Sequence, residues 1–147
     1  MTIRLALAAL AAALVTAALV ATTGSAQAPA GTTLHLVSKS DKNVGFFPTG
    51  RPHQGQHVGF GGTVSGDDSG YDRGACTIVG RSLVCTIQVQ LAKGSLSVQG
   101  IAPQRAKNTP FAIVGGTGAY DGASGTALVT DVSSTTSDIT VNLRPAA

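Results

Sequence analysis

Residues 83–91 decide the fold class; they read Leu83-Val84-Cys85-Thr86-Ile87-Gln88-Val89-Gln90-Leu91. Every second side chain, beginning with Leu83, is apolar, and those between are mostly polar. Successive side chains of a strand point to opposite faces, so this period of two predicts a β-strand with one buried face. The same alternation or shorter apolar runs mark further strands at Leu34–Leu36, Val58–Val64, Leu96–Val98, Phe111–Val114, Gly125–Asp131 and Ile139–Leu143. About eight short strands separated by turns predict an all-β sandwich or closed barrel.

The composition agrees with a chain that contains almost no helix. Only 12% of the 147 residues are charged, and all seven acidic residues are Asp. Exposed helices favour Glu, Lys and Arg, which are scarce or absent here. The 19 glycines have no triplet repeat, which excludes collagen, and the length fits a single domain.

The amino terminus is predicted to be a signal peptide. Arg4 precedes the apolar run Leu5–Val20, and Gly24 and Ala26 fit the small-residue positions of a cleavage site. Cleavage after Ala28 is an alternative. A retained membrane anchor is a further alternative, but a run of 16 positions is shorter than the ~20 that span a bilayer.

The predicted domain organisation is a signal peptide over residues 1–26, a short linker over 27–31 and a barrel domain over 32–147. This organisation predicts a secreted, extracellular protein with no membrane association after cleavage. Removal of Arg4 lowers the formal charge from +3 to +2. Nucleic-acid binding needs a basic stripe with interleaved aromatic residues, whereas the Lys and Arg residues are scattered along this sequence. The sequence therefore predicts no nucleic-acid partner.

A hairpin follows from the spacing of the two cysteines. If Gly80-Arg81 is a two-residue loop, Cys76 lies opposite Cys85, and Gly at the first loop position suits a type II′ turn. Counted from the loop, this is a non-hydrogen-bonded pair, whose Cα atoms lie ~4.5 Å apart, within disulfide range. In an oxidising compartment a disulfide is the favoured interpretation, and a reactive thiol or metal pair is the alternative.

The segment from Phe111 to Gly125 is unusually rich in glycine. A dinucleotide-binding loop is excluded, because Asp121 stands where the third Gly would be needed and no helix follows. The segment instead predicts a strand from Phe111 to Val114, a turn built of glycines, and a second strand that leaves from Gly125.

This segment resembles the signature turn of plant dirigent proteins and of the related allene oxide cyclases. The matching residues are Gly115, Gly116, Thr117, Gly118, Tyr120, Ala123 and Gly125. Gly94–Gly100 resembles the strand before that turn, and Gly74-Ala75-Cys76 resembles the Gly-x-Cys strand of the cyclases. The three matches occur in the family's order, and the chain is most similar to secreted barrels of bacterial type. The resemblance implies an eight-stranded antiparallel β-barrel with a small apolar lumen, often trimeric. Eight strands is also the number at which a barrel just fills or holds one small ligand.

The resemblance implies three candidate catalytic residues: Ser38, Asp41 and Tyr120. Allene oxide cyclases place a Glu and an Asn on the first strand, and a chain without Glu lacks that acid. Ser38 falls near the Asn position, and Asp41 matches a later Asp of the family. Tyr120 belongs to the signature turn and is expected to pack with its hydroxyl tethered.

Dirigent proteins use acids in the lumen to guide coupling reactions. Asp67, Asp68 and Asp72 are candidates for that role, but their Gly- and Ser-rich setting favours a solvated turn.

Two other groups of residues carry weaker signals. His53 and His57 have the spacing of a helical zinc pair, but Pro52 and Gly55 disfavour a helix and no third ligand is present, so no metal is predicted. His35 alternates with apolar neighbours and is predicted to face outward. Residues 43–57, with Phe46-Phe47, are predicted to form a loop at the barrel mouth that gates the lumen or caps the core.

The function predicted from the sequence is binding of a small apolar ligand and guidance of its cyclisation or coupling, without a cofactor. Confinement of a reactive intermediate would be the protein's contribution. The alternative is a non-catalytic extracellular carrier or interaction barrel, acting as a homotrimer or another homo-oligomer. Polysaccharide hydrolysis is disfavoured, because Glu is absent and no Asp pair is recognisably placed.

Overall fold

Eight antiparallel strands form a closed barrel in the computed structural model, which describes residues 31–46, 49 and 51–144. The strands are β1 (Thr33–Ser40), β2 (His57–Gly66), β3 (Gly70–Val79), β4 (Ser82–Leu91), β5 (Gly94–Pro103), β6 (Asn108–Gly118), β7 (Gly125–Asp131) and β8 (Thr136–Leu143). Each strand pairs with the next along the chain, and β8 pairs with β1 to close the sheet. The predicted all-β class and eight-stranded barrel are confirmed. The predicted signal peptide, residues 1–26, lies outside the described residues.

The connections divide the barrel into two unlike ends. The β2–β3, β4–β5 and β6–β7 connections lie at one end, which we call the closed end. The β1–β2, β3–β4, β5–β6 and β7–β8 connections lie at the other, which we call the mouth. The β1–β2 connection begins at Asp41 and ends at Gln56, so both of its ends are at the mouth; the loop predicted for residues 43–57 includes positions outside the described residues, and His57 belongs to β2. No helix long enough and apolar enough to cross a bilayer occurs in the described ranges.

The inward faces of the strands build one core. On β4, Cys85, Val89 and Leu91 are buried, whereas Val84 on the opposite face is 46% exposed. The alternating apolar side chains of residues 83–91 thus face the core, as predicted. At the closed end, Val64 and Leu143 join Leu91 among the buried side chains that fill the barrel.

The β3–β4 hairpin has the predicted register and the predicted disulfide. Val79 pairs with Ser82 across the Gly80-Arg81 loop, and Cys76 pairs with Cys85. The two cysteines form a disulfide with their Cα atoms 4.1 Å apart. Gly80 has a φ of 61°, as the first position of a type II′ turn requires. Because the closed loop is short, the disulfide contributes ~2–3 kcal/mol to stability.

The Gly-rich segment departs from the prediction at one boundary. Strand β6 continues to Gly118 and does not end at Val114, whereas β7 begins at Gly125 as predicted. Ser97 pairs with Gly115 and Val98 with Ile113, so Val114 is the extra residue of a β-bulge. The glycines extend the strand because they allow the chain to approach its neighbours closely, which a turn assignment based on Gly propensity overlooks.

Candidate functional site

The barrel encloses a cavity of about 90 Å³, which we call the lumen cavity. Most of its walls are apolar side chains from the inward faces of the strands. These are Leu36, Phe60, Ile87, Val89, Leu96, Val98, Ala127, Val129, Ile139 and Val141. Its polar lining residues are Ser38, Ser40, Asp72 and Ser137. The cavity is therefore an apolar chamber that contains a single carboxyl group.

Asp72 and Ser38 meet across the lumen wall. Asp72 lies on the inward face of β3, four residues before Cys76, which is on the same face. Ser38 lies on the inward face of β1, two residues after Leu36. The Ser38 hydroxyl donates a hydrogen bond of 2.5 Å to Oδ2 of Asp72. Oδ1 of Asp72 is buried and has no hydrogen-bond partner. Since Asp72 is only 5% exposed, that oxygen is an uncommitted acceptor in apolar surroundings.

Phe60 is turned into the lumen because β3 carries a glycine beside it. A Cβ atom at Gly74 would lie 2.3 Å from Cζ of the Phe60 ring. The absence of a side chain at Gly74 thus makes space for the ring, which lines the lumen cavity. Gly74 therefore shapes the chamber that holds Asp72.

A second cavity of about 310 Å³ adjoins the first on the mouth side, and we call it the vestibule. The two cavities share Phe60, Ile87, Val129 and Ser137 in their walls. The vestibule also includes both disulfide cysteines, Arg105 and Asp131. The vestibule therefore lies between the mouth and the lumen cavity that holds Asp72.

The closed end is held by a second buried acid, Asp68. Its carboxylate accepts hydrogen bonds from the Tyr120 hydroxyl at 2.8 Å and from the Ser69 amide at 2.7 Å. It also accepts longer bonds of 3.3 Å from the amides of Ala92 and Lys93. These contacts tie the signature turn to two neighbouring connections.

The hydrogen bonds at the closed end shift two pKa values in opposite directions. Burial alone raises the pKa of Asp68, but the bonds from Ser69, Tyr120, Lys93 and Ala92 outweigh it, and the pKa is lowered. Burial, together with the bond and charge of Asp68, raises the pKa of Tyr120 to about 12. The pair is therefore a carboxylate and a neutral phenol near neutral pH.

The structure does not bring the three sequence-predicted catalytic candidates together. Ser38 lies in the lumen beside Asp72. Asp41 lies just beyond β1 at the mouth, where its carboxylate accepts bonds from the backbone and side chain of Asn43 at 2.9 and 3.0 Å. Tyr120 lies at the closed end, bonded to Asp68. A catalytic role stays a prediction for each of them.

The prediction of solvated turns is wrong for two of the three acids considered. Asp68 is 7% exposed and Asp72 is 5% exposed, whereas Asp67 is exposed as predicted and accepts a bond from the His35 amide. One signal was available for Asp72. The hairpin register already placed Cys76 on the inward face, and Asp72 is separated from Cys76 by an even number of residues.

The histidines and Phe46 line no part of the lumen or vestibule. His35 is exposed, as predicted, and Nδ1 of His57 lies 3.0 Å from the Thr77 hydroxyl. Within the described ranges, no group of His, Cys, Asp and Glu residues has the arrangement of a metal site. Phe46 is 65% exposed and pairs with Gly59, while Phe47 lies outside the described residues.

Comparisons with known proteins identify the family of the chain and solved structures with a similar fold. Residues 68–144 match the family model described as Dirigent-like protein. A solved structure of a pyocyanin demethylase is similar, with a TM-score of 0.66 and 24% sequence identity over 76% of this chain and 99% of that chain. At that identity the likeness shows the fold alone. No curated protein matches the chain.

Proposed function

We propose that this chain, which belongs to the dirigent-like family, binds a small, mostly apolar molecule in its lumen and guides its cyclisation or coupling. One observation carries the proposal: the unpartnered Oδ1 of Asp72, buried in an otherwise apolar cavity. Buried polar atoms are nearly always hydrogen-bonded, so a buried acceptor without a partner, on a residue that lines a cavity, supports a ligand group as the missing partner.

The dimensions of the cavity define the ligand's size. A volume of about 90 Å³ corresponds to roughly six to nine water-sized groups at ~10–15 Å³ each. One substituted ring fits that space, and a longer substituent extends into the vestibule. The apolar walls favour such a ring through the hydrophobic effect.

Asp72 supplies the specificity of the site. Its free oxygen accepts a hydrogen bond from a ligand hydroxyl or lies beside positive charge that develops on the ring. Ser38 holds the carboxylate in one orientation through the other oxygen. The acid that allene oxide cyclases carry on the first strand is absent here, but an acid from the third strand faces the first strand at Ser38.

The guidance of a reaction follows from confinement. A ring held at one edge by Asp72 and packed on both faces by Leu, Val and Ile side chains presents only its end nearest the vestibule to a second reactant. Orientation of this kind accelerates and directs a reaction without covalent participation of the protein. The residues proposed to act on the ligand are thus Asp72, as acceptor, and Ser38, as the group that positions it.

The binding half of the proposal is tested with pairs of phenols and their methyl ethers. The two compounds are similarly apolar, but only the phenol donates a hydrogen bond. We expect tighter binding of the phenol by about tenfold or more, because a hydrogen bond to a charged group contributes about 1.5–3 kcal/mol. In Asp72→Asn the preference should fall sharply, and in Ser38→Ala it should weaken.

The control for these variants is Asp67→Asn, which removes an exposed carboxylate outside the lumen. Binding is measured by titration calorimetry, and circular dichroism verifies that each variant is folded. Equal affinity for phenol and ether in the unmodified protein would contradict the role of Asp72. Failure to bind any member of the series would reject the lumen as a ligand site.

The guidance half is tested by oxidising a 4-alkenylphenol in the presence of the protein. An added one-electron oxidant takes one electron from each phenol as it loses a proton, and two of the resulting radicals form one bond. We expect an excess of one product enantiomer with the unmodified protein and less with Asp72→Asn. A racemic product despite binding would favour the carrier alternative.

We also propose that the chain is exported after loss of residues 1–26 and that the mature barrel forms a homo-oligomer. The disulfide between Cys76 and Cys85 is consistent with an oxidising compartment. Amino-terminal sequencing of protein recovered from the culture medium locates the cleavage site. A start at residue 27 is expected, and recovery in the membrane fraction would favour the retained anchor.

A further inference from the structure

Two arginines lie in neighbouring connections at the mouth. Arg81 belongs to the β3–β4 turn and Arg105 to the β5–β6 connection. The Gln104 amide donates a hydrogen bond of 3.0 Å to the Arg81 carbonyl, which holds the two connections together. Both arginines line one surface pocket of about 410 Å³, and Arg105 also lines the vestibule. Arg105 thus lines both this pocket and the vestibule, which shares four lining residues with the lumen cavity that holds Asp72.

Neither guanidinium group is used by the fold. Within the described part of the chain, neither Arg81 nor Arg105 donates a side-chain hydrogen bond or forms an ion pair. Asp131 shares the vestibule with Arg105 but does not pair with it, and its carboxylate accepts a bond of 2.8 Å from the Ser137 hydroxyl. Ten N–H donors of two arginines therefore remain available at the entrance.

Arg105 also has an unfavourable backbone conformation for its residue type. Its φ is 67°, and no other described residue except glycine has a positive φ. It lies in a turn closed by a bond of 3.1 Å from the Ala106 amide to the Pro103 carbonyl. Glycine or asparagine normally occupies such a position, and strained residues cluster at functional sites. An arginine there is not explained by the turn.

The chain topology gathers positive charge at this end of the barrel. Of the nine Lys and Arg residues described, six lie in a mouth connection or within two residues of it: Lys39, Lys42, Arg51, Arg81, Arg105 and Lys107. The acids within the same limit are Asp41 and Asp131, and Asp138 lies farther into β8. Such an excess of one sign around an opening attracts anions to it.

From these observations we infer that the ligand is an amphipathic organic anion. Its apolar body occupies the lumen, and its carboxylate or other anionic group binds Arg81 and Arg105 at the mouth. This inference rests on the proposed function, since it names the substrate class of the same lumen. Arg81 and Arg105 are therefore specificity-determining residues.

The experiment compares phenylalkanoates with phenylalkanols of matched chain length. The pairs share the ring and the spacer, and only the terminal group differs in charge. We expect the acid to bind about tenfold more tightly than the alcohol at one preferred spacer length. Added salt should weaken binding of the acid and leave binding of the alcohol unchanged.

Arg105→Asn and Arg81→Asn, alone and combined, should remove the preference for the acid without weakening binding of the alcohol. Asparagine tolerates a positive φ, so Arg105→Asn is expected to fold as well as the unmodified protein. Lys93→Asn, at the closed end, is the control that removes an equal charge and should retain the preference. Thermal melts accompany each titration.

The outcomes separate this inference from the proposed function. Equal binding of acid and alcohol, or a preference that survives loss of both arginines, would overturn the role of the mouth while leaving the lumen as a ligand site. Absence of binding by both compounds would also overturn it. The phenol series then decides whether the lumen binds ligands at all.

Discussion

Asp68 and Tyr120 show how a single buried hydrogen bond stabilises the closed end. The Tyr120 hydroxyl satisfies one of the acceptor sites of a carboxylate that is 7% exposed. Tyr120→Phe leaves the packing of the ring in place and removes only that donor. Because the bond goes to a charged group, we expect the free energy of unfolding to fall by about 1.5–3 kcal/mol at neutral pH.

The pH dependence of this variant follows from the pKa of Tyr120. The pKa is raised from an ordinary 10.0 to about 12 in the folded protein. Folding therefore favours the protonated phenol, and its contribution is complete below pH 10 and is lost as the pH rises towards 12. The stability gap between the unmodified protein and Tyr120→Phe should narrow over that interval.

Urea denaturation across the alkaline range measures that gap. Tyr71→Phe is the matched control, since Tyr71 is 47% exposed and is the other tyrosine of the chain. A gap that stays constant above pH 10 would show that folding does not raise the pKa of Tyr120. The lowered pKa of Asp68 affects stability at acidic pH. The carboxylate's contribution to the free energy of unfolding is lost as the pH falls below 3.8.

At the scale of residues, the sequence predicted some positions and missed their partners. The resemblance to allene oxide cyclases directed attention to Ser38, which does lie in the lumen. For Asp72, its partner, the Gly- and Ser-rich setting predicts a solvated turn, which is wrong. Composition reports the local backbone preference, whereas the burial of Asp72 depends on the barrel, which brings it to Ser38, 34 positions away in the sequence.

The β6–β7 element offers a matched pair of glycines. A Cβ atom at Gly116 would lie 2.2 Å from the Tyr120 carbonyl oxygen and 2.6 Å from that of Ser95, and neither backbone oxygen can move aside. A Cβ atom at Gly115 would meet nothing within 4 Å. We expect Gly116→Ala to lower the free energy of unfolding by about 1–3 kcal/mol or more and Gly115→Ala to change it by less than ~0.5 kcal/mol.

Thermal and urea denaturation of the two variants measure this difference. Both replacements add the same methyl group to adjacent positions of one strand, so differences in residue propensity largely cancel. Similar stability of the two variants would show that the close approach at Gly116 does not constrain the fold.

Elements built from local rules were predicted best. The Gly80-Arg81 loop fixes the register of the hairpin, and every pair out to Cys76 and Cys85 follows from it. The carboxyl end of β6 was missed because five residues there include three glycines, Gly115, Gly116 and Gly118, which read locally as a turn. Their strand conformation depends on pairing with β5, which is a tertiary effect.

On the scale of the whole molecule, one outer face of the barrel is apolar. Ile101 is 61% exposed and pairs with Val84, which is 46% exposed. Pro110 pairs with Leu128, which is 41% exposed. The β5–β6 register ends at the Gln99–Ala112 pair, and its continuation by two residues would put Pro110 opposite Ile101. An apolar stripe across four strands is typical of a protein interface.

We expect this stripe to form the interface of the proposed homo-oligomer. Ile101→Asp places a charge at its centre and should convert the assembly to monomers in size-exclusion chromatography with light scattering. Val132→Asp is the control, because Val132 is 60% exposed but lies in the β7–β8 connection, away from the stripe. A monomeric unmodified protein would contradict the interface.

The closure of the barrel was predictable only in part. Strand periodicity alone left a sandwich and a barrel open, and the family resemblance favoured the barrel. The clustering of basic residues at the mouth was not visible, since Lys39, Arg81 and Lys107 are far apart in sequence. Closure of the barrel by the β1–β8 pair places these positions around the same end.

The closed end has a kinetic consequence for any molecule that enters the lumen. Buried side chains fill the barrel at this end, and Tyr120 of the signature turn is bonded there to Asp68. The lumen is therefore open to ligands only from the mouth. Two reactants would have to enter in single file, the first against Asp72 and the second behind it in the vestibule. The order of arrival, rather than separate binding pockets, would then decide which end of each molecule meets the other. Product would have to depart before the next pair could load.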